Sequence, residues 1–574
     1  MSKVLYIIYR KSDKKIVDSD KKIFQIIEQR ILPDNIVPNK MKLLETRDSL
    51  ATIYNPVSTI KIEGTSLCLG YSPNSNWHVM NKCGGDLDGS FAILRNNNNF
   101  FQIVSDMVAS RTLWYYFNES VFIVSTSQRA IVSYLGNFEF DARIIPWMLA
   151  SGTIGPGFSY DKRLQMVKAN SLITLDKASW TIDIDTKKIK LNKFNGSKCD
   201  AKRILIETLE HVFTNLQLDK SKFILPLSGG YDSRGILLFL TNINRLKTVT
   251  WGSAESRNNK ESDSFIAKEL AEKLQVENVF FESYNSSTPI KEILSRFLIC
   301  SEGRIDHIGG YLDGMQMWKT FFESKYETII RGEELLGLSI AKSFFIARRE
   351  EGLTFLSDYY NIDNSIIKAL EKQTIPAEWY NNDIYTYKGY LALNYEHPVI
   401  FAALNDIKTA YTEVFSPLLS SSIINVISTM FDERIIGNKK IFKEIVIDRC
   451  PDIPLASQGS NKQISDLFYT SEFISEINKT FNKAIENNYF QNDLIQYTLK
   501  KINIKPNEKI NKNKNLTSQL KNLLPKKIVE LIKSKSSKRE MNWQNFTFRL
   551  YILIKMKELF LNDSHLRKNE NSNS

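Results

Sequence analysis

Phe223-Ile224-Leu225-Pro226-Leu227-Ser228-Gly229-Gly230-Tyr231-Asp232-Ser233-Arg234-Gly235-Ile236-Leu237-Leu238-Phe239-Leu240 is the stretch on which the reading of this 574-residue chain turns. Its first half is a short apolar run of strand length. Its second half returns apolar residues at helical spacing, so residues 228–233 are predicted to turn from a buried strand into a helix. Such a turn suits an anion: Gly229 and Gly230 allow φ > 0 and leave no Cβ to keep a phosphate away, while the first free N–H groups of the helix point into the same space. Ser228 and Ser233 add hydroxyl donors, and Asp232 offers a hard oxygen suited to a phosphate-bound Mg²⁺. The spacing matches neither G-x-x-x-x-G-K-[ST] nor G-x-G-x-x-G. Ser/Gly turns also join strands to helices where no ligand binds, so the loop alone leaves both readings open.

The flanks extend the pattern. Residues 201–216 read as an amphipathic helix, 246–252 as a second strand, 262–274 as a helix and 279–281 as a third strand. Strand and helix in this alternation predict an α/β doubly wound parallel sheet, in which ligands bind beyond the carboxyl ends of the strands. Trp251 and Gly252 end the second strand and are placed to border a nucleotide's adenine and ribose.

Upstream, from Lys3 to about Lys193, the chain reads as short strands with turn signals. Residues 90–95 and 100–105 flank an Asn96–Asn99 turn, and 113–117 and 121–125 flank Asn118-Glu119, a succession that predicts an antiparallel meander. Helical spacing at 128–134 and 142–150 makes this an α+β domain with helices on sheets. Downstream, 473–489 and 546–561 have helical spacing. The lysines of 500–505 and 533–539 hold much of the +12 net charge and, with few aromatics among them, read as a solvated connector rather than a nucleic-acid arm. A basic groove for an acidic peptide is the other option.

With 43% hydrophobic residues the chain can bury a large core, and its length exceeds one ordinary domain. The boundaries expected are 1–199, 200–465 and a helical, lysine-rich extension at 466–574. Five scattered cysteines without C-x-x-C point to reduced thiols in a cytoplasmic protein. The apolar run at 4–9 is too short for a signal peptide and reads as a first strand, and no run reaches membrane-spanning length.

Three motifs carry a resemblance. The 228–233 loop is similar to the S-G-G-x-D-S pyrophosphatase loop of enzymes that cleave ATP between its α and β phosphates. Thr328-Ile329-Ile330-Arg331-Gly332-Glu333-Glu334-Leu335-Leu336-Gly337 resembles the G-D-E-L-F-G stretch of asparagine synthetases. Val414-Phe415-Ser416-Pro417-Leu418-Leu419, followed by Asn438-Lys439-Lys440-Ile441-Phe442-Lys443-Glu444, resembles the family's P-[FL]-L-D and K-x-x-L-R-E segments, with Ser420 where the family has Asp. Residues 88–92, 105–106, 111–116 and 125–127 look like the second half of the family's four-layered N-terminal-nucleophile glutaminase domain.

The resemblance implies ATP and Mg²⁺ as cofactors. It implies metal ligation by Asp232 and Glu333, nucleotide binding by Ser228, Gly229, Gly230, Asp232, Ser233, Trp251, Gly252 and Gly332, and a catalytic lysine at Lys439, with Lys440 close behind by spacing. Without the family, paired acids after a strand read as a helix start that favours negative charge. Met1-Ser2-Lys3 stands where working relatives carry a cysteine, and no R-H-R-G or N-G-E match is present, so a degenerate domain without glutaminase activity is expected.

The expected activity is an ATP-dependent ligase that activates a carboxylate as its adenylate and passes it to an amine. Lasso-peptide macrolactam formation on a precursor peptide is the favoured form; β-lactam synthetases follow the same logic. The alternatives are amidation by ammonia of aspartate or a sugar acid, and a non-catalytic scaffold that binds a nucleotide or peptide.

Overall fold

The computed structural model describes residues 3–10, 18–240, 246–283, 287–460, 468, 470–502 and 538–566. Ser2 and most of the lysine-rich connector, 503–537, lie outside the described residues.

Two six-stranded antiparallel sheets form the N-terminal part. Lys3–Tyr9 is an inner strand of the first, paired on one side with Ser49–Tyr54 and on the other with Val121–Ser125. Because successive side chains alternate faces, Val4, Tyr6 and Ile8 pack inward against Leu69, Ala92 and Phe101 of the second sheet. Leu5, Ile7 and Tyr9 face outward to Phe24, Ile27 and Ile131, on the helices Asp18–Ile31 and Gln128–Leu135. The outer face of the second sheet is covered instead by Trp77 and Leu87. Helix, sheet, sheet is the layering found among the described residues, where the resemblance implied four layers.

The single meander is corrected to two hairpins in different sheets. Ser90–Asn96 pairs with Phe100–Ser105 in the second sheet, and Trp114–Phe117 with Val121–Ser125 in the first. The crossing between them is organised by buried Asp106, whose carboxylate accepts from the backbone N–H groups of Phe91 (2.8 Å), Val108 and Ser110 (both 3.0 Å) and from the Ser110 hydroxyl.

The second part is built on a five-stranded sheet in the order Asn278–Glu282, Lys247–Gly252, Phe223–Pro226, Thr328–Ile330, Glu413–Phe415, with every neighbouring pair parallel. Both faces are covered. Phe223, Leu225, Ile330 and Phe415 pack among residues of the helices Lys198–Thr214, Tyr231–Phe239, Asp263–Lys273 and Lys440–Arg449. Ile224, Val249, Ile329 and Val414 pack on the other side, with Ile290–Ser301 and Gln316–Glu323. Strand order runs outward in one direction from Phe223–Pro226 to the third strand and in the other to the fifth, so the order reverses between Phe223–Pro226 and Thr328–Ile330.

The motifs at 88–90 and 111 join the two parts. Asp88 caps the helix Ser421–Thr429, accepting from Ser422 N (3.0 Å) and the hydroxyls of Ser421 and Ser422. Ser90 Oγ accepts from Ser416 N at 2.9 Å, and Arg111 pairs with Asp406 and Glu413. The last described helix, Trp543–Ser564, is apolar nearly all round and is buried against Gln128–Leu135 and Ile144–Ser151, with Arg129 and Asp563 paired in its contact at 2.6 Å. Among the described residues no helix is long and apolar enough to cross a membrane.

Candidate functional site

At the reversal point the carboxyl ends of Phe223–Pro226 and Thr328–Ile330 open into a cleft of about 410 Å³. Its lining includes Ser228, Gly230, Asp232, Ser233, Trp251, Arg331, Gly332 and Glu333, with Thr250, Asp263, Phe401 and Ser460 completing the wall. Open parallel sheets bind ligands at this place because the strand connections leave it in opposite directions.

The loop is held by its own side chains. Ser228 N donates to Ser233 Oγ at 3.0 Å, the two hydroxyls are 3.1 Å apart, and Gly230 N donates to Ser228 Oγ at 3.2 Å. Gly229 N donates to Asp263 Oδ1 at 3.1 Å; Asp263 sits in the first turn of its helix, and burial raises its pKa against the lowering effect of that bond. The φ > 0 that the two glycines allow is not used: neither is in the left-handed region, and Gly230 is extended at φ −82°, ψ 179°. Gly229 is required by close approach, since a Cβ there would collide with that of Ala456, whereas a Cβ on Gly230 would meet only Ser228 Oγ at 3.3 Å. Arg234, buried behind the loop, clamps that neighbouring segment through the carbonyls of Ile453 (2.8 Å) and Pro454 (2.7 Å).

Two helices begin at the cleft side by side. Gly235 on Tyr231–Phe239 lets Phe442 of Lys440–Arg449 approach to where a Cβ would stand 2.5 Å from its ring. That spacing puts Asp232, in the first turn of one helix, opposite Lys439, the residue before the other. Lys439 Nζ lies 2.9 Å from both Asp232 oxygens and 2.7 Å from Glu334 Oε1. Lys440 is exposed at the helix start.

Lys439 and Asn438 are consecutive left-handed residues, at φ 59° and 56°, a conformation that side chains other than glycine adopt only when their surroundings impose it. Asn438 N donates to Leu338 O at 2.8 Å, and Gly337, at φ 142°, fits under Ile436 O where a Cβ could not. The 332–340 segment thus holds the lysine in place. Burial opposes the charge of Lys439, but Glu334 and Asp232 outweigh it and hold its pKa above the ordinary lysine value. Glu334 is raised by burial and by Asp232, against the pull of Lys439.

Glu333 lines the same cleft but points its oxygens elsewhere. Oε1 accepts from Arg331 Nε at 3.1 Å and Oε2 from Ser416 Oγ at 2.6 Å. Burial raises its pKa, yet Arg331, buried Lys408 and the Ser416 bond together bring it below the ordinary glutamate value. Lys408 itself is lowered to about 7 by burial and by Arg331, with Glu333 and Asp406 pulling the other way. The acid that meets Asp232 across Lys439 is Glu334, while Glu333, which the resemblance pairs with Asp232 for a metal, turns to Arg331 and Ser416.

Of the remaining expected residues, Trp251 and Gly332 line the cleft. Gly332 passes so close that a Cβ would lie 3.0 Å from that of Asp232. Gly252 lies behind the cleft wall, where a Cβ would meet Ser460 Cβ at 2.5 Å. Sequence reasoning missed Arg331, Glu334, Asp263, Lys408 and Ser416. Arg331, Glu334 and Ser416 lie inside the quoted motifs, where nothing in the spacing distinguished which side chain faced the lysine.

No cluster of three or more His, Cys, Asp or Glu side chains suited to a metal is present among the described residues. Asp232 and Glu334 converge instead on Lys439 Nζ, so a Mg²⁺ arriving with phosphate oxygens would take these two carboxylates by displacing the ammonium.

A second hollow, of about 320 Å³, lies along the same π-helical segment, Ala392–Phe401, whose Phe401 lines the cleft. Leu393, Asn394 and Pro398 of that segment form one wall of the hollow; Trp379, Tyr390, Lys168 and Lys188 contribute to the rest.

A scan against protein-family models and a search of the curated proteins find no match to this chain.

Proposed function

We propose that this chain is an ATP-dependent, amide-forming ligase of the asparagine-synthetase type. The observation that supports this most is the meeting of Asp232, Glu334 and Lys439, drawn from three separate segments, over a Ser/Gly loop at the point where the strand order reverses. A carboxylate does not react with an amine in water, because the anion is a poor electrophile and oxide a poor leaving group. In the proposed reaction a carboxylate oxygen attacks the α-phosphorus of ATP, the bond to the β-phosphate bridge breaks, and pyrophosphate leaves. An amine nitrogen then attacks the acyl carbon, loses a proton, and expels AMP carrying the former carboxylate oxygen.

The N–H groups of the first turn of Tyr231–Phe239, with the hydroxyls of Ser228 and Ser233, would bind phosphate. Mg²⁺, held by Asp232 with Glu334, would neutralise charge on the leaving pyrophosphate. Lys439 would stabilise the oxyanion that develops at the acyl carbon. In this reading the N-terminal part is a degenerate N-terminal-nucleophile fold kept as scaffold, with Asp88, Ser90 and Arg111 fastening it to the ligase part. Macrolactam formation within a peptide is the specific form proposed. It is supported by the second hollow, whose Trp379, Tyr390 and three lysines, against one acid, Glu378, suit an acidic peptide, and which shares the Ala392–Phe401 segment with the cleft.

The test is product analysis. Purified protein with Mg²⁺ and ATP, with and without acidic peptides, should release AMP and pyrophosphate, and Asp232→Asn should abolish release while the protein remains folded at the assay temperature. A cyclised peptide loses one water, whereas amidation by ammonia exchanges hydroxyl for amine, so mass spectrometry separates the two forms. ADP and phosphate as products would refute the assignment.

A further inference from the structure

The Glu333 contacts raise a question the proposed reaction leaves open: what receives the substrate carboxylate? Arg331 leaves the strand Thr328–Ile330 at the reversal point and lines the cleft. Its side chain is 28% exposed, and only Nε is engaged, by Glu333 Oε1. Neither Nη has a protein partner among the described residues.

The engaged edge is built in depth. Glu333 is fixed by the hydroxyl of Ser416, whose backbone N–H is in turn held by Ser90 Oγ of the N-terminal part. Lys408 is buried beneath the same group, donating to Leu404 O and Asn405 Oδ1 at 3.1 Å each. A guanidinium pinned at one edge, with its other donors turned to a cavity, has the geometry of a receptor for a planar oxyanion, because its fork matches a carboxylate at two points. The charges are already divided: Asp232 of the lining pairs with Lys439, which with Glu334 stands outside the lining, while Arg331 pairs with Glu333 inside it. Each Glu333 oxygen already accepts one bond of this assembly, and a positioning role uses both.

We propose that Arg331 receives the carboxylate that is to be activated and that Glu333 is its positioning residue. This rests on the ligase reading above and supplies its acyl-substrate contact. Through Ser416 and Ser90 it also makes the N-terminal part a support for substrate binding.

The probes are glutarate, a small dicarboxylate, and α,β-methylene-ATP, which binds as ATP does but is not cleaved at the proposed bond. Calorimetry on the full chain with Mg²⁺ measures each alone and glutarate after the nucleotide analogue. Loss of a charge-assisted pair predicts that Arg331→Gln weakens glutarate by roughly 10- to 100-fold, and clearly more than it weakens the nucleotide analogue. Arg331→Lys keeps the charge without the fork and should fall between. Glu333→Gln keeps the shape of the anchor without its charge. It should weaken glutarate in the same direction, which preserves the test if Arg331→Gln fails to fold.

Equal glutarate affinity in the wild type and these variants, or no glutarate uptake by the wild type, overturns the assignment. So does a loss falling mainly on the nucleotide analogue, which would make Arg331 a phosphate contact. A wild type that takes up glutarate but not the nucleotide analogue overturns the ligase reading and leaves Arg331 as a carboxylate site.

Discussion

Replacing Lys439 by alanine removes the cation that stands 2.9 Å from both oxygens of Asp232 and 2.7 Å from Glu334. At an effective dielectric constant near 20, each contact at that range attracts by roughly 6 kcal/mol before desolvation is counted. Lys439 and Asp232 keep 27% and 32% of their side-chain exposure, so water screens much of this and lost hydration offsets much of the rest. Glu334, already raised by burial and by Asp232, can also take up a proton when the lysine is gone. The stability loss should therefore be about 2 kcal/mol. Catalysis should suffer more, by about 10²–10³ in rate, because the lysine would face charge that develops only after adenylation. Lys440→Ala, at an exposed helix start, should change stability by no more than about 0.5 kcal/mol and leave turnover near the wild-type value. Thermal melting, calorimetry of α,β-methylene-ATP and amide formation by mass spectrometry measure the three quantities. Equal effects of the two substitutions, or a Lys439→Ala protein that loses nucleotide binding as severely as amide formation, would refute the reasoning.

Gly229→Ala puts a methyl group against Ala456 with no room to move, and overpacking of this kind costs about 1–3 kcal/mol; a melting temperature equal to the wild type would contradict the close approach. Lys408→Met tests the buried lysine. Between about 7 and the ordinary lysine value the unfolded chain binds a proton that the folded chain does not, so the wild type should gain stability as pH rises through that window and lose it as pH falls toward 7. Melting curves at pH 7 and 9.5 should show the wild type gaining up to about 3 kcal/mol relative to the methionine variant, and parallel pH dependences would count against the shift.

Much of this site was legible in the sequence, for identifiable reasons. The strand-to-helix turn at Ser228 and the parallel sheet announce themselves through a change of apolar period within one short window, which needs no knowledge of distant partners. The partition of the hairpins between two sheets does not, because local strand and turn signals are the same whichever sheet a hairpin joins; the crossing depends on Asp106 gathering backbone donors from both sides. The direction of Glu333 against Glu334 was equally hidden. Both occupy an irregular segment where no periodicity assigns a face, and their orientation is decided by Arg331, Ser416 and Lys439. The choice between Lys439 and Lys440 turned on two left-handed residues that only the packing of 332–340 explains.

The burial of Trp543–Ser564 has a consequence for how the protein comes into being. Arg549 donates to the carbonyl of Leu149, 400 residues earlier in the chain. At roughly 5–20 residues per second of synthesis, the first sheet and its helices wait on the order of 20–80 s on the ribosome before the element that covers them emerges. During that interval the surface under Ile131, Met148 and Tyr160 stands open. A fragment ending before the last helix should therefore be recovered as aggregate rather than as a free-standing domain.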